Sequence, residues 1–198
     1  MKKHTIYGQK YLTLSWDETN EQLLQIAEKI IKKKEKFDRV VALAKGGLTW
    51  SRTLCDYLGI KELSSIQISF YTGIASTQKT PVITQSLPIA IQNERILIFD
   101  DVADSGETLV LAKKYIKMHG AKTVKTATVA IKSWTSFVPD YYGFNSSEWI
   151  IFPHEIRETM TLLKRSWKKQ HISDAVVKKH LASLGMSARE IAVFYNLV

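Results

Sequence analysis

Residues 95–115, RILIFDDVADSGETLVLAKKY, join a buried strand to a helix through a loop that is rich in carboxylates. The four apolar residues 96–99 predict a strand inside the protein. Asp100, Asp101 and Asp104 follow at once, and carboxylates so close in sequence repel one another. We therefore expect this loop to face an electropositive or hydroxyl-rich ligand.

The residues after the last aspartate have the composition of an anion site. A helical pattern begins at these residues, which are Ser105, Gly106, Glu107 and Thr108. A helix N-terminus offers unpaired backbone N–H groups and partial positive charge. Two hydroxyls add donors, and the glycine permits close backbone approach. A phosphate cradle beside carboxylates suits a phosphorylated sugar with Mg²⁺.

The alternative is a plain turn whose aspartates only cap the helix. No Gly-Lys-Ser/Thr follows, so this is not a Walker-type loop.

Strand and helix patterns alternate along the chain, which predicts an α/β fold with a parallel sheet and helices on both faces. Helices are predicted near residues 15–37, 49–58 and 106–119, and strands near residues 40–44, 63–71, 95–100 and 122–132. Residues 72–88 are polar and turn-rich, which predicts a long loop or a mobile hairpin with a functional role. Parallel sheets bind ligands beyond the carboxyl ends of their strands, so Gly46, Gly47 and the three aspartates are expected at one crevice.

Composition places the chain among globular proteins with an ordinary core. It has 198 residues, 45% of them hydrophobic, and a formal net charge of +9. Basic chains of this kind bind nucleic acid, membrane surfaces or phosphorylated small molecules. No apolar run approaches 18 residues, and the N-terminus lacks the apolar core of a signal peptide, so we expect no membrane partner and a cytoplasmic location. The single cysteine, Cys55, lies in an apolar helical pattern and is expected to be a packing residue.

Four regions of the sequence resemble one known family, the type I phosphoribosyltransferases. ILIFDDVADSGETL resembles their signature for phosphoribosyl diphosphate (PRPP), and VALAKGGL resembles their pyrophosphate loop, with Lys45 where many members have arginine. VAIKSWTSFVPDYYGF and EWIIFPHE resemble the base-recognition segment of the purine branch, and YLTLSWDE is similar to the start of xanthine-guanine phosphoribosyltransferases. The resemblance covers about residues 10–158. It implies the type I phosphoribosyltransferase fold over residues 1–158, with a flexible lid loop, and a small C-terminal helical extension over residues 159–198.

The resemblance also implies a role for each site residue. Asp104 would be catalytic and manage the proton at N7 of the base. Asp101 and Glu155 would help to hold Mg²⁺, although His154-Glu155 replaces a Trp-Asp pair of the relatives. The implied substrate-binding residues are Ser105, Gly106, Glu107 and Thr108 for the 5′-phosphate, Asp100 and Asp101 for the ribose, Ala103 in the same loop, Lys45 and Gly46 for pyrophosphate (often through a cis peptide), Lys132, Trp149 and Ile150 for the base, and Ser69 and Tyr71 at the start of the lid.

The implied reaction transfers ribose 5-phosphate from PRPP to a purine base and yields a nucleoside monophosphate and pyrophosphate. A 6-oxopurine such as guanine, hypoxanthine or xanthine is favoured, and an adenine-specific enzyme on the same frame is the first alternative. A PRPP-sensing regulator without catalysis is the second alternative. The family further implies a homodimer or tetramer, and purine salvage as the setting.

The last forty residues lie outside the resemblance. Residues 172–198 predict two short helices that break at Gly185-Met186, with Ser187 and Glu190 as a new capping pair. Such a pair is similar to a helix-turn-helix, but helical hairpins are common, and residues 151–198 hold eight Lys or Arg against only four Asp or Glu. We expect these helices to pack against the catalytic domain or a second subunit, and we expect no nucleic-acid partner.

Overall fold

The computed structural model of the protein describes residues 1–72 and 79–198. Two compact units form within them: Met1–Thr19 with Glu148–Val198, and Asn20–Ser147. The predicted boundary after residue 158 stays a prediction. In chain order the elements are β1 (Lys2–Ile6), β2 (Gln9–Thr13), α1 (Trp16–Lys32), β3 (Arg39–Ala44), α2 (Leu48–Leu58), β4 (Glu62–Thr72), β5 (Lys79–Gln85), β6 (Arg95–Ala103), α3 (Glu107–Met118), β7 (Thr123–Lys132), β8 (Tyr141–Ser146), β9 (Trp149–Ile151), α4 (Ile156–Lys169), α5 (Asp174–Ser183), α6 (Ala188–Phe194) and a 3₁₀ turn (Tyr195–Leu197).

A six-stranded sheet forms the framework of the unit Asn20–Ser147. Its strand order is β5-β4-β3-β6-β7-β8, and every neighbouring pair is parallel except β4 with β5 at the edge. The predicted α/β fold with a parallel sheet is therefore confirmed. The carboxyl ends of β3, β6 and β7 meet at one edge of this sheet, as in other parallel sheets.

Continuous apolar runs explain the central strands of that sheet. Residues 96–99 of β6 are fully buried, and so are Val40, Val41 and Ala42 of β3. Strands buried on both faces read as unbroken apolar runs rather than as alternating patterns. Cys55 is buried on α2, in agreement with its predicted packing role, and α2 ends at Gly59 in the left-handed conformation.

Two predicted boundaries in this unit differ from the structure. Strand β6 continues past the first aspartates, because Asp100 pairs with Thr128 and Ala103 pairs with Ile131 of β7. The prediction ended this strand at Asp100, because charged residues disfavour a buried strand. Residues 72–88, predicted as a loop or hairpin, contain β5, which pairs with β4. Residues 73–78, the central part of the predicted lid, lie outside the described residues.

The other unit combines a small sheet with the C-terminal helices. Its strand order is β1-β2-β9, with β1 antiparallel and β9 parallel to β2. Ser187 and Glu190 form the predicted capping box at the start of α6. The unit's core is one cluster of buried side chains, Ile6, Tyr11, Ile151, Met160, Leu163, Trp167, Val177, Leu181, Leu184, Met186, Ile191 and Tyr195. The sequence did not predict β1, β2, β8 or β9, whereas α4 lies largely within the helical extension predicted for residues 159–198.

Within residues 1–72 and 79–198, none of the helices combines the length and the apolar character needed to cross a membrane.

Candidate active site

The double-glycine turn after β3, Gly46 and Gly47, lies directly against Asp100 and Asp101 of β6, which are called here the acidic pair. The peptide bond between Ala44 and Lys45 is cis. A Cβ atom added at Gly46 would lie 2.5 Å from Oδ1 of Asp101, and one added at Gly47 would collide with the carbonyl oxygen of Phe99. Gly47 therefore requires glycine for steric reasons, because its neighbours are main-chain atoms, whereas a side chain at Gly46 would displace the Asp101 carboxylate. The structure brings the two loops together, as the rule for parallel strands predicted.

The two adjacent carboxylates of this edge influence each other. Burial raises the pKa of Asp100 well above its usual range, and the neighbouring Asp101 carboxylate raises it further. Backbone N–H groups of Asp101 and Gly47 act in the opposite direction, and the Asp101 N–H donates to Asp100 Oδ1 over 3.0 Å. Asp101 itself is only 8% exposed. The protein surroundings thus disfavour two negative charges at this place, and a cation bound here would offset that penalty.

This acidic pair fits a hard divalent cation. Mg²⁺ prefers carboxylate oxygens together with phosphate oxygens, and the pair presents carboxylates beside the glycine turn. Asp101 is therefore a suitable Mg²⁺ ligand by the chemistry of its donor and by its place. Glu155, the second predicted ligand, belongs to the other unit, where its side chain accepts from the Phe152 N–H over 3.4 Å. Its metal role stays a prediction.

The loop of residues 104–108, called here the Asp104 loop, turns sharply into α3. Gly106 has a φ of 89°, which L side chains rarely adopt, and a Cβ there would lie 2.6 Å from Cβ of Phe137. Ser136 fixes the loop from outside, since its N–H and its hydroxyl both donate to the Ser105 carbonyl, over 3.1 Å and 2.8 Å. The α3 N-terminus is thereby held in place by residues that follow β7.

Those residues, 132–137, are called here the Trp134 segment, and sequence reasoning found only the first of them. The indole Nε1 of Trp134 donates to Oδ1 of Asp104 over 2.8 Å. The ammonium nitrogen of Lys132 lies 5.4 Å from the centre of the same indole ring. The rule that parallel strands end at one edge could have drawn attention to the whole segment, because it follows β7 immediately.

Three further predicted residues of this unit have described positions. Lys132 ends β7 and is 8% exposed, so its stem is packed while its ammonium group lies over the Trp134 ring. Ser69 lies on β4 with its hydroxyl 3.2 Å from that of Thr84 on β5. Tyr71 lies on β4 as well, but its side chain is outside the described residues. The lid roles of both remain predictions.

The two predicted base-contacting residues on β9 belong to the other unit. Trp149 is partly exposed and pairs with Tyr11 of β2, whereas Ile150 is buried and pairs with Leu12. Their predicted roles, stacking on the base and reading its edge, stay predictions.

Comparisons with known proteins show the family to which the chain belongs. The sequence profile of the phosphoribosyl transferase domain matches residues 15–158. This chain belongs to the phosphoribosyltransferase family. The structure of a purine phosphoribosyltransferase from Pyrococcus horikoshii Ot3 is similar, with 38% identity, a TM-score of 0.66, and coverage of 72% of this chain and 93% of that one. The family resemblance and the fold class predicted from the sequence are therefore confirmed.

Two further relatives are more distant. A xanthine-guanine phosphoribosyltransferase from Gluconobacter oxydans (strain 621H) is 26% identical over 144 residues, which are 72% of this chain and 83% of the relative. The structure of a Helicobacter pylori xanthine-guanine-hypoxanthine phosphoribosyltransferase has a TM-score of 0.66 at 19% identity, covering 75% of this chain and 96% of that one. At that identity the second likeness concerns the fold alone.

Proposed function

We propose that this phosphoribosyltransferase transfers ribose 5-phosphate from PRPP to a purine base, preferably a 6-oxopurine, and releases pyrophosphate in purine salvage. One observation carries the proposal: the Asp104 loop, the acidic pair and the double-glycine turn lie at one edge of one sheet. Similarity to proteins named as purine, xanthine-guanine and hypoxanthine-guanine phosphoribosyltransferases supports the choice of base.

The Asp104 loop suits the 5′-phosphate of the donor sugar. The start of α3 would supply backbone N–H groups to the phosphate, and the hydroxyls of Ser105 and Thr108 would add donors. The contacts from Ser136 keep the loop in one conformation, which lowers the entropic cost of binding. Asp100 and Asp101 would accept hydrogen bonds from the ribose hydroxyls, because carboxylates are acceptors only.

Bond breaking at the anomeric carbon builds positive charge on the sugar and negative charge on the departing pyrophosphate. Lys45 and the Gly46 backbone would receive the pyrophosphate, with lysine supplying charge but not the forked donors of arginine. Asp101 would hold Mg²⁺ and, as the family resemblance implies, so would Glu155; the ion would supply further positive charge at the pyrophosphate. The residues after β4 would exclude water, which otherwise hydrolyses the activated sugar.

The incoming base must lose a proton as its nitrogen bonds to the sugar. Asp104 is exposed at the carboxyl end of β6 and would take or steer that proton at N7. Lys132 would donate to an oxygen at position 6 of the purine, which favours oxopurines over adenine. Trp149 would stack on the base, and the Ile150 backbone would read its edge.

Two finer parts of the proposal come from the family resemblance. We infer that the enzyme works as a homodimer or tetramer and that it is cytoplasmic. Its partners are then PRPP, a purine base, the nucleoside monophosphate and pyrophosphate, with neither a membrane nor a nucleic acid among them.

One assay tests the function and separates the alternatives. The protein is incubated with PRPP and Mg²⁺ and, separately, adenine, guanine, hypoxanthine or xanthine, and nucleotide formation is followed by chromatography. We expect GMP, IMP or XMP. AMP alone would identify an adenine-specific enzyme and overturn the assignment of Lys132. No nucleotide from any base, with PRPP still binding in calorimetry, would favour the PRPP-sensing regulator.

A further inference from the structure

The Trp134 segment contacts the Asp104 loop at two points that are independent of each other. Ser136 binds the Ser105 carbonyl, and Trp134 binds the Asp104 carboxylate. The first contact fixes the position of the segment, and the second reaches the proposed proton acceptor. An exposed tryptophan that hydrogen-bonds a carboxylate over 2.8 Å requires an explanation, because 58% of its surface is open to solvent.

We propose that Trp134 is the positioning residue for Asp104, an inference that rests on the proposed function. Its indole N–H holds Oδ1, and the other carboxylate oxygen is then the one that faces the purine nitrogen. The hydrogen bond restricts rotation of the carboxylate about its terminal torsion, which is otherwise broad. A reacting group held in the productive orientation contributes to rate through proximity and alignment.

An indole suits this task because of its chemistry. It is a donor only and neutral, so it orients a carboxylate without competing for the proton that the carboxylate must accept. A lysine or arginine in the same place would add a full positive charge and lower the basicity of the carboxylate. Asp104 can therefore be oriented and still serve as a base.

The second contact of the indole extends the inference to base recognition. The Lys132 ammonium lies 5.4 Å from the ring centre, within the range of a cation–π interaction. One indole thus contacts the two side chains that would face the imidazole side and the oxygen-6 side of the purine. Because Ser136 anchors the segment, both contacts share one rigid support, which is what a preorganised site requires.

Three variants test the role of the indole N–H. Trp134→Phe keeps an aromatic ring without the N–H, Trp134→Gln restores a donor of similar reach without the ring, and Trp16→Phe changes another exposed tryptophan as a control. We expect Trp134→Phe to lower kcat about tenfold with the Kd for PRPP within twofold of wild type. Trp134→Gln should recover kcat to within about threefold of wild type, and Trp16→Phe should leave it unchanged. A Trp134→Phe enzyme with wild-type kcat, or a Gln variant slower than the Phe variant, would overturn the inference.

A second measurement does not depend on activity. The indole ¹H–¹⁵N resonance of Trp134 is identified by its disappearance in Trp134→Phe and is then followed in Asp104→Ala. We expect it to move upfield and its proton to exchange faster once the acceptor is gone. An unchanged resonance would contradict the hydrogen bond in solution and overturn the inference. If wild type forms no nucleotide with any purine, the proposed function fails, while this spectrum still decides whether Trp134 orients Asp104.

Discussion

Asp104 and Asp140 are both carboxylates within sequence motifs that resemble the family, yet their surroundings differ. Asp140 accepts from Lys125 over 2.9 Å and from the N–H and hydroxyl of Thr126 over 2.9 and 3.0 Å. Asp104 is exposed and accepts from the neutral indole of Trp134. The first carboxylate is saturated by its own chain and serves the fold. The second keeps the capacity to receive a ligand.

The pKa of Asp140 reflects that saturation. Burial alone would raise the pKa, but hydrogen bonds from Lys125 and Thr126 and the charge of Lys113 hold it below its usual range. Asp140 immediately precedes β8, and these hydrogen bonds attach it to Lys125 and Thr126 of β7. The comparison teaches that a motif match locates a residue, whereas its hydrogen-bond partners decide whether it is structural or chemical.

Removing Asp104 is expected to give the largest effect. Asp104→Ala should lower kcat by about 10²- to 10³-fold, because general acid–base catalysis contributes on that order. The Kd for PRPP, measured by calorimetry with Mg²⁺, should change less than about threefold. Asp140→Asn is the matched control and should keep wild-type kcat per folded molecule. Equal losses of turnover and of PRPP affinity in Asp104→Ala would contradict its role in proton transfer.

The double-glycine turn gives a second and smaller test. Gly46→Ala places a methyl group 2.5 Å from Asp101 Oδ1 and should weaken PRPP binding in the presence of Mg²⁺ by about tenfold. Its thermal unfolding should remain close to wild type, because an aspartate side chain can move away. Gly47→Ala meets the main chain of β6 instead and should lower the free energy of unfolding by about 2 kcal/mol. Normal PRPP binding by Gly46→Ala would remove the proposed pyrophosphate site from this turn.

Local sequence patterns were sufficient for the elements that form this edge of the sheet. The apolar runs of β3 and β6, the glycine pair and the helix start after Asp104 are all short-range signals. A general rule for parallel strands then placed the two loops together. Strands β1, β2, β8 and β9 were not predicted, because they are short or polar and obtain their stability from partners distant in sequence.

Local sequence patterns could not predict the contacts of the site that join residues distant in sequence. Trp134 and Asp104 are 30 residues apart, and Ser136 and Ser105 are 31 apart. The family resemblance implied a role for Lys132, but the sequence offered no signal for the indole that lies beside it. In the same way, the resemblance includes PDYYG in the base-recognition segment, and no local pattern indicates that Asp140 within it binds Lys125 and Thr126. Side-chain partners decide such roles, and they follow from tertiary packing.

The smallest expected effect concerns the stability that Asp140 contributes. Asp140→Asn removes the charge and retains an acceptor, so it should lower the free energy of unfolding by about 1 kcal/mol at pH 7. The pKa of Asp140 in the folded protein lies below the unfolded value of about 3.9. Its charge therefore stabilises the folded protein fully above the unfolded pKa, and this stabilisation is lost as the pH falls through the folded pKa. Urea unfolding at pH 7, 5 and 3 should therefore show a smaller difference in stability between the two proteins at pH 3 than at pH 5 or 7.

A surface pair provides the control for that measurement. Glu28 and Lys32 lie 4.0 Å apart on α1 with most of each side chain exposed, so Glu28→Gln should change stability by less than about 0.5 kcal/mol at every pH. If Asp140→Asn costs no more than Glu28→Gln, the network around Asp140 is worth no more than an exposed ion pair. If its cost persists unchanged at pH 3, the effect is steric rather than electrostatic. In both cases the distinction between Asp140 and Asp104 would have to rest on turnover alone.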